Sequence, residues 1–290
     1  MSEQVPGSEA ISPEQAIEIG RELLEYFDID IDGKLNPVTN TEEFVEALKQ
    51  LNPRYKGDRT LVRFELEDDQ TEWPTDMQRK TWDAAVGLRM VEPDDAEEPI
   101  ETELEGEFDD VAVLGAARQA PKDRALYAAK AIHEGRASAK KVVIVGSARK
   151  LKEAEQENAA NYAPGAKTEF DLCVGAARAV AEEYPDVEVE TMFLDEEKAG
   201  TPQVMEHVLS ELQSRGELSA SARIAAVTTQ IYQTSTSFDV ARAAKKFGVH
   251  DTFVAGNPSD PNVVAKRTTS TYLSEILRTM KAAALALSHE

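Results

Sequence analysis

From Asp110 onward the chain alternates short apolar runs with amphipathic stretches of helical period, and that alternation decides the fold class. The runs fall at 111–115, 142–146, 189–194, 224–228 and 252–255. Helical patterns separate them at roughly 122–134, 169–184, 202–214 and 237–247. A brief, nearly continuous apolar run suits a strand buried on both faces, and a helix between successive strands makes those strands parallel. The pattern predicts a doubly wound, mostly parallel five-stranded sheet in a three-layer, Rossmann-like α/β domain. Local signals support its boundaries. Thr168 precedes Glu169 and Asp171 as a helix cap, Thr201-Pro202 reads as a cap with proline at the first helical position, and Gly248 marks a helix stop.

The region before the alternation reads differently. Ser12-Pro13-Glu14-Gln15 is a capping-box helix start, followed by an apolar stripe of Ile17, Leu24 and Phe27. Further patterns predict a short helix from Asn40, an isolated strand over 60–66 and a helix over 75–88 around Trp82 and Val86. An acidic, proline-containing run over 92–110 separates these elements from the alternating part. The expected organisation is a small, mainly helical N-terminal extension with its acidic linker over 1–105, then the Rossmann-like domain over 106–290. A last helix, over about 271–287, carries Leu273, Ile276, Leu277, Met280 and Leu287 on one side.

Charge narrows the function classes. With 54 acidic against 32 basic side chains the formal net charge is -22, so nucleic-acid backbones and anionic membrane surfaces are disfavoured as partners. An apolar fraction of 41% is nevertheless ample for a core. The single cysteine, Cys173, lies in a predicted helix and reads as a buried structural thiol in a reducing compartment. The acidic, polar start lacks the basic and apolar segments of a signal peptide, and no run is long enough to span a bilayer. The expected location is cytoplasmic.

In doubly wound sheets ligands bind beyond the carboxyl ends of the strands, which selects a few loops. Gly115-Ala116-Ala117-Arg118 follows the first strand, and Gly146-Ser147-Ala148-Arg149-Lys150 the second. Asp195, Glu196, Gly200 and Thr201 follow the third, and Thr228-Thr229-Gln230-Ile231-Tyr232 the fourth. Glycine at a strand end permits close backbone approach to a ligand, and small neighbours leave helix-start amides open to an anion. Arg118, Arg149 and Lys150 gather at these ends in an otherwise acidic chain, which points to a ligand of phosphate or carboxylate character. The bland readings are turn glycines, arginines paired to surface carboxylates, and polar residues used as caps.

Several familiar devices are missing from the sequence. Neither G-x-G-x-x-G nor the phosphate loop ending in Gly-Lys-Ser/Thr is present, so a standard dinucleotide enzyme or ATPase is disfavoured. The histidines, His133, His207, His250 and His289, have no metal spacing, and there is no G-x-S-x-G elbow. Glu169, Asp195 and Glu196 would be the carboxylates for a general base or a divalent ion, with solvated acidic surface as the plain alternative.

Over roughly 110–287 the order of these signals resembles the YdcF-like branch of the SanA/ElyC/YdcF family. Gly115 is followed by Arg124 and Ala128 where that family opens a helix, and Gly146-Ser147 stands where it has paired glycines. Glu169, Thr201, Thr228-Thr229, Arg267 and Glu275 resemble the family's residues at the corresponding places, and the helix from Ser12 resembles its N-terminal extension. Ser147, Val204 and Tyr232 replace a glycine, an asparagine and a histidine, so the family's acid/base group is not carried over. The resemblance implies a Rossmann-like fold and a ligand such as a nucleotide or S-adenosylmethionine.

Together these readings predict a small-molecule binding protein, or a transferase, for an anionic or nucleoside-containing ligand. Gly115, Arg118, Gly146, Ser147, Arg149, Glu169, Thr201, Thr228, Thr229, Gln230 and Tyr232 are the candidate contacts. Tyr232 is placed to stack on a base. The alternatives are a metal-assisted hydrolase or phosphoryl-transfer enzyme using Glu169 or Asp195, and a protein-interaction module using its N-terminal helices.

Overall fold

A computed structural model describes residues 10–27, 73–91, 103–219, 221–259, 264 and 267–287. The helix expected from Asn40, the strand expected over 60–66 and residues 92–102 of the acidic run lie outside the described residues. In chain order the elements are α1 (Pro13–Tyr26), α2 (Thr75–Gly87), β1 (Gly106–Glu107), β2 (Asp110–Leu114), α3 (Ala120–His133), β3 (Ala137–Ser138), β4 (Lys141–Ser147), α4 (Glu153–Ala159), α5 (Glu169–Glu183), β5 (Val189–Leu194), α6 (Thr201–Ser214), β6 (Arg223–Thr229), α7 (Gln233–Lys245), β7 (Asp251–Asn257) and α8 (Thr269–Leu287). A 3-10 turn, Gln230–Tyr232, joins β6 to α7.

The chain divides into two compact units, Thr102–Pro258 and the combination of Met1–Glu101 with Ser259–Glu290. The first holds a five-stranded, all-parallel sheet in the order β5-β4-β2-β6-β7. Strands succeed one another outward from β2 to β5, and the chain then returns to the other side of β2 to lay down β6 and β7. With right-handed crossovers, that reversal puts α3 and α5 on one face of the sheet and α6 and α7 on the other.

Alternation along the strands shows the two faces directly. Val111, Val113, Val142 and Ile144 pack with Ala125, Ala128 and Ala129 of α3 and with Cys173, Ala176 and Val180 of α5. Ala112, Leu114, Val143 and Val145 pack with Met205, Val208, Leu209 and Leu212 of α6 and with Val240, Ala243 and Ala244 of α7. The alanines of α3 let that helix approach the sheet closely. The doubly wound, three-layer fold expected from the sequence is therefore the fold observed. The separate parallel ladder of β1 with β3 has two residues per strand, too few for periodicity to mark.

The second unit gathers α1, α2 and α8. Ser12 and Gln15 form the expected capping box, with Gln15 N to Ser12 Oγ at 3.2 Å and Ser12 N to Gln15 Oε1 at 2.8 Å. A Cβ built on Gly20 would stand 2.2 Å from Met280 Sδ, so α1 and α8 cross closely at that point. Trp73 Nε1 donates to Ser270 Oγ at 2.8 Å, and Trp82 meets the Tyr272 ring edge-on at 5.6 Å between centroids. The last helix, expected to close the domain over 106–290, thus clusters with the N-terminal helices. Its apolar stripe of Leu273, Ile276 and Met280 was legible; the surface it covers was not. No helix among the described residues is long and apolar enough to cross a membrane.

Candidate functional site

Strand order reverses between β2 and β6, so their carboxyl ends form the crevice where doubly wound sheets hold ligands. Two buried charged side chains converge there. Arg124, in the first turns of α3, is 4% exposed. Its Nη1 donates to the carbonyls of Leu114 at 2.7 Å and Gly115 at 3.3 Å, and its Nε and Nη2 donate to Thr229 Oγ1 at 3.1 and 3.0 Å. One guanidinium thereby ties the end of β2 to the end of β6.

Glu169 arrives from the other side as the first residue of α5, 5% exposed. Thr168 caps this helix, its Oγ1 accepting from Asp171 N at 3.2 Å while the Asp171 carboxylate accepts from Thr168 N at 2.8 Å. Burial opposes ionisation of Asp171, but the amides of Lys167 and Thr168 overcome it and hold the carboxyl below its ordinary range. Ser147 donates its hydroxyl to Glu169 Oε2. The opposite oxygen, Oε1, would lie 3.2 Å from a Cβ on Gly115, and Val145 O would lie 2.4 Å from the same Cβ. Position 115 therefore has no room for a side chain, and a carboxylate and a guanidinium flank it.

Arg149 extends the cluster outward. Its Nη1 pairs with Glu155 Oε2 at 3.1 Å, and its Nε stands 4.0 Å from Glu169 Oε2. Nε and Nη2 are buried without a hydrogen-bond acceptor, so half of the guanidinium fork is unused. Burial works against the charge on Glu155, yet the Lys152 amide and Arg149 together keep its carboxyl below the ordinary value. Arg149 is thus already shared by two carboxylates, and an incoming anion would compete with them. Arg118 and Lys150 are exposed, and neither is ion-paired to a carboxylate among the described residues.

The remaining expected contacts divide. Thr228 and Gln230 are buried at the end of β6, Thr229 accepts from Arg124, and Tyr232 is half-buried at the start of α7. Gly146 has a packing explanation: a Cβ there would lie 2.6 Å from Phe170 Cα and 2.8 Å from Cys173 Sγ, so α5 occupies the space a ligand would need. Thr201 is the first residue of α6, beyond β5 and on the opposite sheet face from α5. Gly200 precedes it as the cap residue, and Gln203 Oε1 accepts from Gly200 N at 3.1 Å. The cap is therefore one residue earlier than the Thr201-Pro202 pattern predicts. Asp195 and Glu196 are exposed, and no group of three or more His, Cys, Asp or Glu side chains among the described residues is arranged to hold a metal ion. Arg267 and Glu275 belong to the other unit.

Three residues here are not among the contacts the sequence predicts: Arg124, Glu155, and Tyr162, whose hydroxyl donates to the Arg118 carbonyl. Arg124 leaves a trace, because it shares a helical face with Ala128, where an arginine is out of place. Cys173 lies beneath the cluster, fully buried, its thiol pushed up by burial and by Glu169 and pulled back by Arg124.

No family model and no curated protein matches the chain. Among solved structures it is similar to FtsY from Mycoplasma mycoides at 12% identity and a TM-score of 0.23, covering 93% of this chain and 99% of that one. It is also similar to the signal recognition particle receptor FtsY from Elizabethkingia anophelis at 13% identity and a TM-score of 0.20, covering 99% and 74%.

Proposed function

We propose that the protein binds a small anionic or nucleoside-containing ligand in the crevice between β2 and β6. The observation that carries this reading is the convergence of buried Arg124 and Glu169 on Gly115 at the point where the sheet order reverses. Burying two charged groups is costly, and a site that needs them is a common reason for keeping them. Glu169 Oε1 offers an acceptor for a ligand hydroxyl or amine, and Gly115, by lacking a side chain, leaves the room that this carboxylate occupies. Arg118, Lys150 and the unused donors of Arg149 are matched to phosphate or carboxylate.

The resemblance to YdcF-like proteins supports a nucleotide or S-adenosylmethionine within that class, and a transferase role where a reaction follows. The net charge of -22 favours a small molecule in the cytoplasm over a polyanion or a membrane surface. Thermal-shift and calorimetric titration with adenosine, AMP, ATP and S-adenosylmethionine test the reading. At least one should bind, and the isosteric Glu169→Gln variant should bind it about tenfold more weakly while remaining folded. Absence of binding across all four, or equal binding by Glu169→Gln, overturns it.

A further inference from the structure

Arg118 is an unexpected residue for its place. It lies in the loop between Gly115 and α3 with φ at +59°, in the left-handed region that glycine or asparagine would enter more readily. Among the described residues only Arg89 shares that property outside glycine. The Arg118 side chain is exposed and not ion-paired to a carboxylate among the described residues, despite the acidity of the chain. Neither backbone geometry nor local charge pairing explains an arginine here.

The backbone of this loop is pinned from a distance. Tyr162 donates its hydroxyl to the Arg118 carbonyl at 2.6 Å, and Gln119 Nε2 donates to Asn161 Oδ1 at 2.9 Å and to the Asn158 carbonyl. The Tyr162 ring packs against the apolar clusters beneath α3 and α4, and Lys122 Nζ lies 5.9 Å above it. Residues 148–168 leave the end of β4 and return to α5, so the segment that carries Arg149 is latched to the loop that carries Arg118.

We propose that Tyr162 is a positioning residue: it holds Arg118 in its left-handed conformation, so that Arg118 serves as the outer, phosphate- or carboxylate-binding arm of the crevice. This rests on the ligand reading above and adds to it a specific charge contact and the residue that sets it. The tyrosine acts through a backbone carbonyl, fixing the direction in which the arginine leaves the chain.

Adenosine and AMP differ by one phosphate and isolate the arm. In the 290-residue chain AMP should bind more tightly than adenosine, and Arg118→Gly, which suits the backbone but removes the guanidinium, should erase about a tenfold advantage. Tyr162→Phe keeps the ring and should weaken AMP severalfold, leave adenosine unchanged, and have no further effect in the Arg118→Gly background. Equal loss for both ligands, or equal loss in both backgrounds, would reduce Tyr162 to a packing residue and overturn the inference. So would a wild-type protein that binds AMP no tighter than adenosine, even if the crevice takes another ligand of the class. If none of the four ligands binds, this inference and the reading beneath it fall together.

Discussion

Arg124 and Thr229, 105 residues apart, are joined by two hydrogen bonds at the carboxyl ends of the paired strands β2 and β6, where strand order reverses. The same guanidinium also holds two carbonyls at the end of β2, so the crevice floor is a single shared donor. Replacing Arg124 with Met should leave the Leu114 and Gly115 carbonyls and the Thr229 hydroxyl without their buried partner. We expect a loss of about 3 kcal/mol, and about 1–2 kcal/mol for Thr229→Val, by urea unfolding. Their coupling should be substantial: if the two losses simply add in the double variant, the shared-donor account is wrong.

Gly115 and Gly146 both end strands, but for different reasons. Alanine at 115 meets the Val145 carbonyl at 2.4 Å and Glu169, whereas alanine at 146 meets Phe170 and Cys173 of α5. Both should destabilise the protein by about 1–3 kcal/mol because the opposing atoms include backbone. Only Gly115→Ala should, in addition, impair ligand binding in excess of its stability loss at a temperature where both variants are fully folded. Calorimetric titration beside thermal unfolding separates the two effects.

Two buried carboxylates in this domain should give stability opposite slopes with pH. Glu155 has a folded value below the ordinary 4.5, so its contribution is complete above that value and is lost as pH falls through the lowered one. Asp110 has a value raised above 3.8, chiefly by burial and despite Lys141 and Lys140, and its Oδ1 has no hydrogen-bond partner. Its contribution is complete below 3.8 and is lost as pH rises through the raised value. Each unit of difference corresponds to about 1.4 kcal/mol. Glu155→Gln should therefore cost stability at neutral pH and less in acid, while Asp110→Asn should gain stability at neutral pH and converge on the wild type in acid. Urea melts at pH 3 to 7 read both slopes, and a common sign would contradict the assigned causes.

What the sequence disclosed follows from the range of the forces involved. The capping boxes at Ser12 and Thr168 were readable because donor and acceptor are three residues apart. The five strands were readable because burial on both faces leaves continuous apolar runs. Helix α4 was not: EAEQENA has no apolar stripe, and it is held by Ala159 in the core and by Glu155 reaching the Lys152 amide and Arg149. At the site, Gly115, Ser147, Arg149 and Thr229 are marked by their place after strands, and Glu169 by its place at the start of a capped helix. Arg124 and Tyr162 act on partners 105 and 44 residues away, and no local pattern encodes such a pairing.

The crossing of α1 and α8 gives a last test, because it joins the two ends of the chain. Gly20 faces Met280, with Sδ, Cγ and Cε all within 3 Å of where a Cβ would stand. An alanine at 20 would gain helix propensity, which by itself favours folding by about 1 kcal/mol. It must also displace the methionine, and overpacking of this kind costs about 1–3 kcal/mol. The displaced atoms belong to a flexible side chain, so the net change should be small and destabilising. Met280→Ala alone opens a cavity and should cost about 2–4 kcal/mol. In the double variant the new methyl enters the vacated space, so the combined loss should be clearly less than the sum. Strict additivity in a double-mutant cycle measured by thermal unfolding would mean that residues 20 and 280 are not in contact, and that α8 does not pack on α1.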